Sequence, residues 1–400
     1  MSEVETARKE ILPWGNAQYV ANPYPWYDNA RRNFPIYRDL DGTYVVTRYE
    51  DMVRYGKLPS LSIVTPDGAP SGPWKALSAT VLNLDPPKHT AARRPMNKWF
   101  TPKLVQKWVE AAETYVLNHL DRTANGEHFD ANMQLGVGPS HAAMCNALQV
   151  PADDFEPVIF CMHKTMRALS ETAGEEENER ATKAFEYMFG RVRDLLQWKR
   201  ANPGEGMADA LLGGYDNGDI SEAQLVQSVV LLWGSGGHNP SYIISSGVEY
   251  FARHPEAYEI FKAQPDKRPL FINEIYRLYP PELSFSRFAT EEIEIHGVTI
   301  KVGECVKFII DAANRDPDVF PNANELDLTR PANALQGVSF GMGVHQCAGQ
   351  IISRGEIETV FRVLAENVDR FTLEGEPEMD NTGRSRAYVN LPISVVKSAA

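Results

Sequence analysis

The sequence predicts a mainly α protein with small β-sheets, folded as a single domain. Three observations carry that expectation. Apolar residues recur at helical spacing through residues 102–124, 139–149, 151–170, 178–200 and 221–250. Strand-like alternation is confined to short runs, at 35–39, 43–48, 293–298 and 302–310. No Gly/Ser linker, repeat or low-complexity block interrupts the 400 residues, so one domain over 1–400 is expected although the length allows two or three. Residues 1–20 are expected to form a flexible N-terminal tail.

Composition narrows the class. Hydrophobic residues make up 43% and charged residues 23%, enough for a sizeable core. The net charge is −13 and no basic run offsets it, which argues against nucleic acid as a partner. The opening MSEVETARKEILPWG is charged, has no apolar signal core, and no run in the chain reaches about 18 apolar residues. A soluble, cytoplasmic protein with no membrane partner is expected. Cys145, Cys161, Cys305 and Cys347 show no CxxC spacing, and a reducing compartment leaves them as thiols.

Taken in order, residues 22–34 suggest a short helix, and the alternating runs around Asp41-Gly42 a hairpin. Residues 57–84 form a long segment broken by Pro66, Gly68, Pro70, Gly72 and Pro73, which reads as a binding element rather than a mobile connection, with both readings open. In LDPPKHTAARRPMNKWF, residues 84–100, Asp85 can cap a helix whose first turn accepts Pro86 and Pro87. His89 and Arg93, four apart, then share one helical face. Val105, Trp108, Ala112, Tyr115 and Val116 read as core packing, and Glu175–Glu177 as a solvated turn.

The stretch 221–250 contains an anomaly, Gly234-Ser235-Gly236-Gly237-His238-Asn239-Pro240. In a helix interior three glycines cost about 1 kcal/mol each and a proline about 3, some 6 kcal/mol together. A plain structural helix would not collect that penalty; a helix that bends and lets a ligand approach its backbone would.

Residues 340–349 read FGMGVHQCAG. Cys347 ends a glycine-punctuated loop, and the apolar run at Ile351 and Ile352, followed by Arg354 and Glu356, reads as a helix. Gly341, Gly343 and Gly349 allow positive φ or the close approach of a flat group. A thiolate at a helix N-terminus is stabilised by the positive end of the helix dipole. A lone Cys is more often an inert apolar residue. Three glycines, His345 and Arg354 around one thiol instead make a cofactor cradle.

The pattern FxxGxHxCxG, carried by Phe340, Gly343, His345, Cys347 and Gly349, resembles the haem-thiolate signature of the cytochrome P450 family. Four further motifs follow the family's order: His89-xxx-Arg93 after a DPP, Gly236-Gly237 in the long helix, the ExxR of Glu274 and Arg277, and Arg330 in ELDLTRP. The resemblance spans about residues 20 to 395. It implies the P450 fold, a helical prism with haem b between a long distal helix and the Cys loop. Cys347 would be the axial ligand of the haem iron, with Phe340, Gly341, His345 and Gly349 around it. His89, Arg93 and Arg287 would hold the propionates, and Glu274, Arg277 and Arg330 would form a buried structural triad. The implied reaction is monooxygenation: O2 is activated and one oxygen atom is inserted into a small to medium apolar organic substrate, by hydroxylation or O- or N-demethylation. No flavin or iron–sulfur motif is present. NAD(P)H-derived electrons would therefore come through a ferredoxin or flavodoxin with its reductase, docking near Arg93, Arg94, Lys98 and Arg354.

One departure stands out. The family's acid followed by Thr is replaced by Asn239-Pro240, with Ser241 as a reserve hydroxyl. That leaves open an atypical or peroxide-driven haem-thiolate enzyme. A haem sensor or carrier lacks an appended effector segment, and a zinc site at His345 and Cys347 lacks two further ligands at short spacing. Gly236, Gly237, Asn239, Pro240 and Ser241 are the distal catalytic candidates, and Trp233, Leu283, Ser284 and Phe285 the candidates for the substrate pocket.

Overall fold

In the computed structural model, described over residues 8–68, 72–151, 155–330 and 337–398, the stretches with helical spacing are helices. They run Pro102–Arg122, Gly138–Leu148, Phe155–Arg167, Glu175–Ala201 and Glu222–Arg253. The first seven residues, and Pro70 within the 57–84 segment, lie outside the described residues. The 32-residue helix Glu222–Arg253, about 48 Å long, is the axis of the molecule. Ser221 and Gln224 close a reciprocal capping box at its start, Ser221 Oγ accepting from the Gln224 N–H at 3.2 Å. Near its end Phe251 stacks on Phe271 of helix Arg268–Leu278 at 4.5 Å and 12° and meets Phe361 of helix Gln350–Asn367 edge-on at 5.7 Å. That aromatic cluster locks the long helix to the two helices flanking the Cys loop.

The sheets are small, as expected. A five-stranded sheet runs in the order Ile36–Arg38, Tyr44–Val46, Cys305–Ile309, Ser284–Ala289, Leu61–Ser62. Its first pair is the expected hairpin, turned at Gly42 with φ +94°. Ser284–Ala289 pairs antiparallel with Cys305–Ile309, Arg287 opposite Val306, which fixes Arg287 at the sheet's inner side. Glu378–Asn381 and Arg386–Asn390 form a separate hairpin.

Four expectations need correction. Residues 8–20 are not a loose tail: Leu12 is fully buried, Tyr19 packs edge-on against Trp14, Trp26 and Tyr27, and Trp14 Nε1 donates to Asp39 at 2.6 Å. Aromatic area without a helical period anchors this segment. Glu175–Glu177 is the first turn of helix Glu175–Ala201, where Glu177 accepts from the Gly174 N–H at 2.9 Å and acids suit the dipole. Asp85 does not cap with its side chain. Helix Lys88–Asn97 starts after both prolines, and the Asp85 carboxylate accepts from Ser62 Oγ and faces His345. Finally, Gly234 and Gly236 do not face open space: a Cβ on Gly234 would run into Met162 Cε and one on Gly236 into Met144 Sδ, while the helix continues through Pro240.

Candidate active site

Cys347 is presented by a loop whose backbone is closed on itself. Its N–H donates to Phe340 O at 2.9 Å, Gly341 N–H to Val338 O at 2.9 Å, and Gln346 N–H to Gly343 O at 3.1 Å. Gly341 and Gly343 adopt φ of +65° and +68°, which a side chain would strain, and open space stands where a Gly341 Cβ would lie. Gly349, at φ −77°, does not use the left-handed region; it sits at the N-cap of helix Gln350–Asn367, its Cβ position 3.9 Å from Cys347 Sγ. Burial pushes the thiol up, opposed by the N–H groups of Gly349 and Gln350 and by Arg93. The helix-start N–H groups thus aim at sulfur as expected, but do not by themselves ionise it. The sulfur is packed about by protein, yet Cys347 retains open surface, as a side chain lining a cradle does.

Beside the sulfur lies a set of donors from distant segments. The rings of His89 and His345 are 4.3 Å apart. Arg287 is buried, and burial pushes its guanidinium down to about 10, with Asp85 opposing. His345 is pushed down to about 4 by burial, His89 and Arg287, again against Asp85. Arg93 Nη2 donates to Gln346 O at 2.7 Å, which brings helix Lys88–Asn97 onto the Cys loop. His89 Nε2 is buried with no hydrogen-bond partner among the described residues. Two arginines, two imidazoles and one carboxylate make a site that calls for anions. A planar dicarboxylate cofactor carrying a metal that takes a soft thiolate fits both the donors and the cradle.

The triad assembles. Arg277 holds Glu274 through two bonds of 2.8 Å, and Arg330 Nε lies 3.2 Å from Glu274 Oε2. Burial alone would raise the Glu274 carboxyl. Arg277, the Asp327 N–H and Arg330 together hold it below the usual range. Arg277 also donates to the carbonyls of Asn314, Ala323 and Glu325, so one buried guanidinium clamps the irregular 314–329 segment. From there Asn314 bonds Ser339 Oγ at 2.9 Å and the Val338 N–H at 2.7 Å, while Ser339 donates to Tyr276 O. Asn314, Ser339 and Tyr276 complete the link to the Cys loop. No motif in the sequence singles them out, because each acts through a contact between remote segments. Arg354, expected on a docking surface, instead covers Tyr276 and Phe340 at 5.3 and 5.2 Å and bonds Asn273. Arg94 and Lys98 are exposed.

On the long helix, Asn239 Oδ1 is buried with no hydrogen-bond partner among the described residues, next to Pro240. The Ser241 hydroxyl donates to His238 O at 2.6 Å and is thereby occupied. Of the pocket candidates, Trp233 turns into the core, its Nε1 donating to His141 Nδ1 at 3.3 Å; a large indole finds its partner on helix Gly138–Leu148. Phe285 stacks on Phe308 at 5.1 Å beneath Arg287, so it supports the donor set. Leu283 and Ser284 are buried against the hairpin tip, where Leu283 N–H donates to Arg384 O at 2.9 Å. The 57–84 segment crosses to the same side: Trp74 Nε1 donates to Thr165 O and the Ala79 N–H to Gln227 Oε1, both at 2.8 Å.

A family model described as Cytochrome P450 matches residues 269–392, which include the triad, Arg287 and the Cys loop. The chain is 30% identical over 292 residues to Cytochrome P450-SOY of Streptomyces griseus, covering 72% of this chain and 68% of that one. It is 29% identical over 374 residues to the 20-oxo-5-O-mycaminosyltylactone 23-monooxygenase of Streptomyces fradiae, covering 91% and 87%. The solved structure of P450BioI in complex with hexadec-9Z-enoic acid ligated acyl carrier protein matches with a TM-score of 0.86 at 25% identity, over 95% of this chain and 100% of that one. With a thiol cradle and a donor set that the same fold positions, the chain belongs to the cytochrome P450 family of monooxygenases.

Proposed function

We propose that Cys347 is the axial ligand of haem b and that the chain hydroxylates, or O- or N-demethylates, a small to medium apolar organic substrate. The observation that supports this most is the pairing of a thiol framed by helix-start N–H groups with a nearby donor set short of carboxylates. His89, Arg93, Arg287 and His345 would hold the two propionates, and the triad would keep the Cys loop in place. When bound, the haem supplies the activation of O2 and the insertion of one oxygen atom into a C–H bond. The chain's residues orient the substrate, exclude water and move protons. Relatives named as a 23-monooxygenase and as a hydroxylase/epoxidase favour O2 over the peroxide-driven alternative.

On the distal side neither Asn239 nor Pro240 titrates near neutral pH, and Pro240 leaves the Gly236 carbonyl without its helical N–H. Protons would reach the reacting centre along ordered water, with the Asn239 amide oxygen as one anchor. Electrons would come from a separate ferredoxin or flavodoxin with its reductase, docking where Arg94 and Lys98 are exposed beside the Cys loop. Among the described residues no helix is long and apolar enough to cross a membrane. A cytoplasmic setting suits four free thiols.

The test is the Cys347→Ala variant. The wild type should show the strongly red-shifted Soret band of a thiolate-bound haem when reduced under CO, and the variant should lose the band and turnover together. A band that survives the substitution would remove Cys347 as the ligand.

A further inference from the structure

Outside the cradle, the long helix buries a polar group that no mechanism so far uses. His238 is 2% exposed, and its Nε2 has no hydrogen-bond partner among the described residues. It is followed directly by Asn239, whose Oδ1 is equally unpaired. A buried unpaired donor or acceptor is costly, so two on consecutive residues indicate a group from outside the chain's own packing. His238 faces the helix Phe155–Arg167, where His163 meets it edge-on with ring centroids 4.9 Å apart. One turn further, Arg167 pairs with Asp380 of the hairpin Glu378–Asn381/Arg386–Asn390. A polar seam thus joins the long helix, helix Phe155–Arg167 and the hairpin, on the side where Met162 of that helix meets Gly234 of the Gly-rich segment.

The charge balance of the seam decides what it can accept. Arg167 is satisfied by Asp380, and Lys307 by Glu171 at 2.5 Å just beyond the same helix. Lys164, beside His163 on the same helix, is exposed to solvent, so among the described residues the charges near the two rings are either paired or turned outward and none is buried to neutralise an entering ion. Burial, then His163, pushes the His238 imidazole well down, and burial does the same to His163, so both rings stay uncharged. A neutral imidazole offers one donor and one acceptor nitrogen, which suits a hydroxyl or a carbonyl.

We propose that His238 and His163 are specificity-determining residues that read an uncharged oxygen-bearing group, an alcohol or a ketone, on the substrate. This rests on the haem-thiolate reading above. The substrate is then an already oxygenated organic molecule, held by that group while a distant carbon is presented for reaction. A site built to hydrogen-bond such a group discriminates against the bare hydrocarbon, because the unpaired imidazole remains unpaired when it binds.

The test uses the holoenzyme and three probes on one rigid cage: adamantane, adamantanol and adamantane carboxylate, titrated by the substrate-induced Soret shift. The wild type should bind adamantanol about tenfold or more tightly than adamantane, one hydrogen bond's worth, and the carboxylate less tightly than the alcohol. In His238→Leu and in His163→Leu the alcohol preference should fall to near unity while adamantane affinity changes by less than about threefold. His238→Gln, which keeps a donor and an acceptor, should restore part of it. Should His238→Leu not fold, the half-buried His163→Leu carries the test. A wild type that binds none of the probes, prefers the carboxylate or ignores the hydroxyl overturns the proposal, as does a preference that survives both leucine variants. A wild type without the CO band fails the haem reading instead, and the two failures are thereby told apart.

Discussion

Asn239 occupies the position of the family's acid, but its amide cannot exchange a proton near neutral pH. Its buried Oδ1 is free to anchor a water and can do little more. A positioned acid–base group contributes about 10²–10⁴-fold, so Asn239→Ala should lose less than about tenfold in product formed per NAD(P)H consumed. A loss of 10²-fold or more with an intact CO band would make Asn239 a true relay. A second residue shows how burial sets charge. Glu356 is 1% exposed, accepts a hydrogen bond from Ser140 Oγ, and is pushed up to about 8 by burial. Folded chain therefore holds this proton more tightly than unfolded chain. Below the ordinary value of 4.5 both forms carry it and the associated stability is complete; as pH rises through the window to about 8, only the unfolded chain releases it and stability falls. A shift of this size is worth a few kcal/mol, each unit being about 1.4. Glu356→Gln should thus gain melting temperature relative to wild type as pH goes from 5 to 8; a difference independent of pH would show that Glu356 is not the group titrating.

At the scale of the element, the long helix illustrates how one pattern can have two causes. Glycines beside a proline suggested a bend for a ligand, yet Gly234 and Gly236 each stand where a methionine from a neighbouring helix presses on the backbone. Overpacking a core by one methyl group typically costs about 1–3 kcal/mol. Gly236→Ala should therefore destabilise by about that amount through its clash with Met144. Truncating Met144 makes room for the new methyl group, so Gly236→Ala with Met144→Ala should cost less than the sum of the single changes. Strict additivity in chemical denaturation would mean that Gly236 serves something other than the fit to Met144.

At the scale of the molecule, the Glu274–Arg277–Arg330 cluster ties together segments that are otherwise far apart in the chain. Arg277 alone bonds helix Arg268–Leu278 to three carbonyls between Asn314 and Glu325, and Asn314 passes the constraint to the Cys loop. Removing one partner of a buried pair costs about 3–5 kcal/mol because the other charge is left uncompensated. Glu274→Ala should yield little soluble holoprotein. A well-folded, haem-replete variant would show that the cluster is dispensable for the loop.

Local chemistry was legible in the chain itself. Helical spacing located the long helices, Asp41-Gly42 the hairpin, and FxxGxHxCxG with ExxR the Cys loop and its supporting pair, because each depends on residues a few positions apart. Contacts across sequence were not legible. The N-terminal aromatics lack a period that would reveal their burial, Asp85 looked like a cap until His345 and Ser62 were found beside it, and Trp233 looked like a pocket wall until His141 took its N–H. The convergence of His89, Arg93, Arg287 and His345 on one donor set was expected only through family resemblance, since no spacing in the chain encodes it. The sequence determined which backbone each segment adopts and which residues can carry chemistry. Which of them meet, and which buried nitrogens are left without a partner, was decided only by tertiary packing, because burial and pairing are properties of surroundings that distant segments supply.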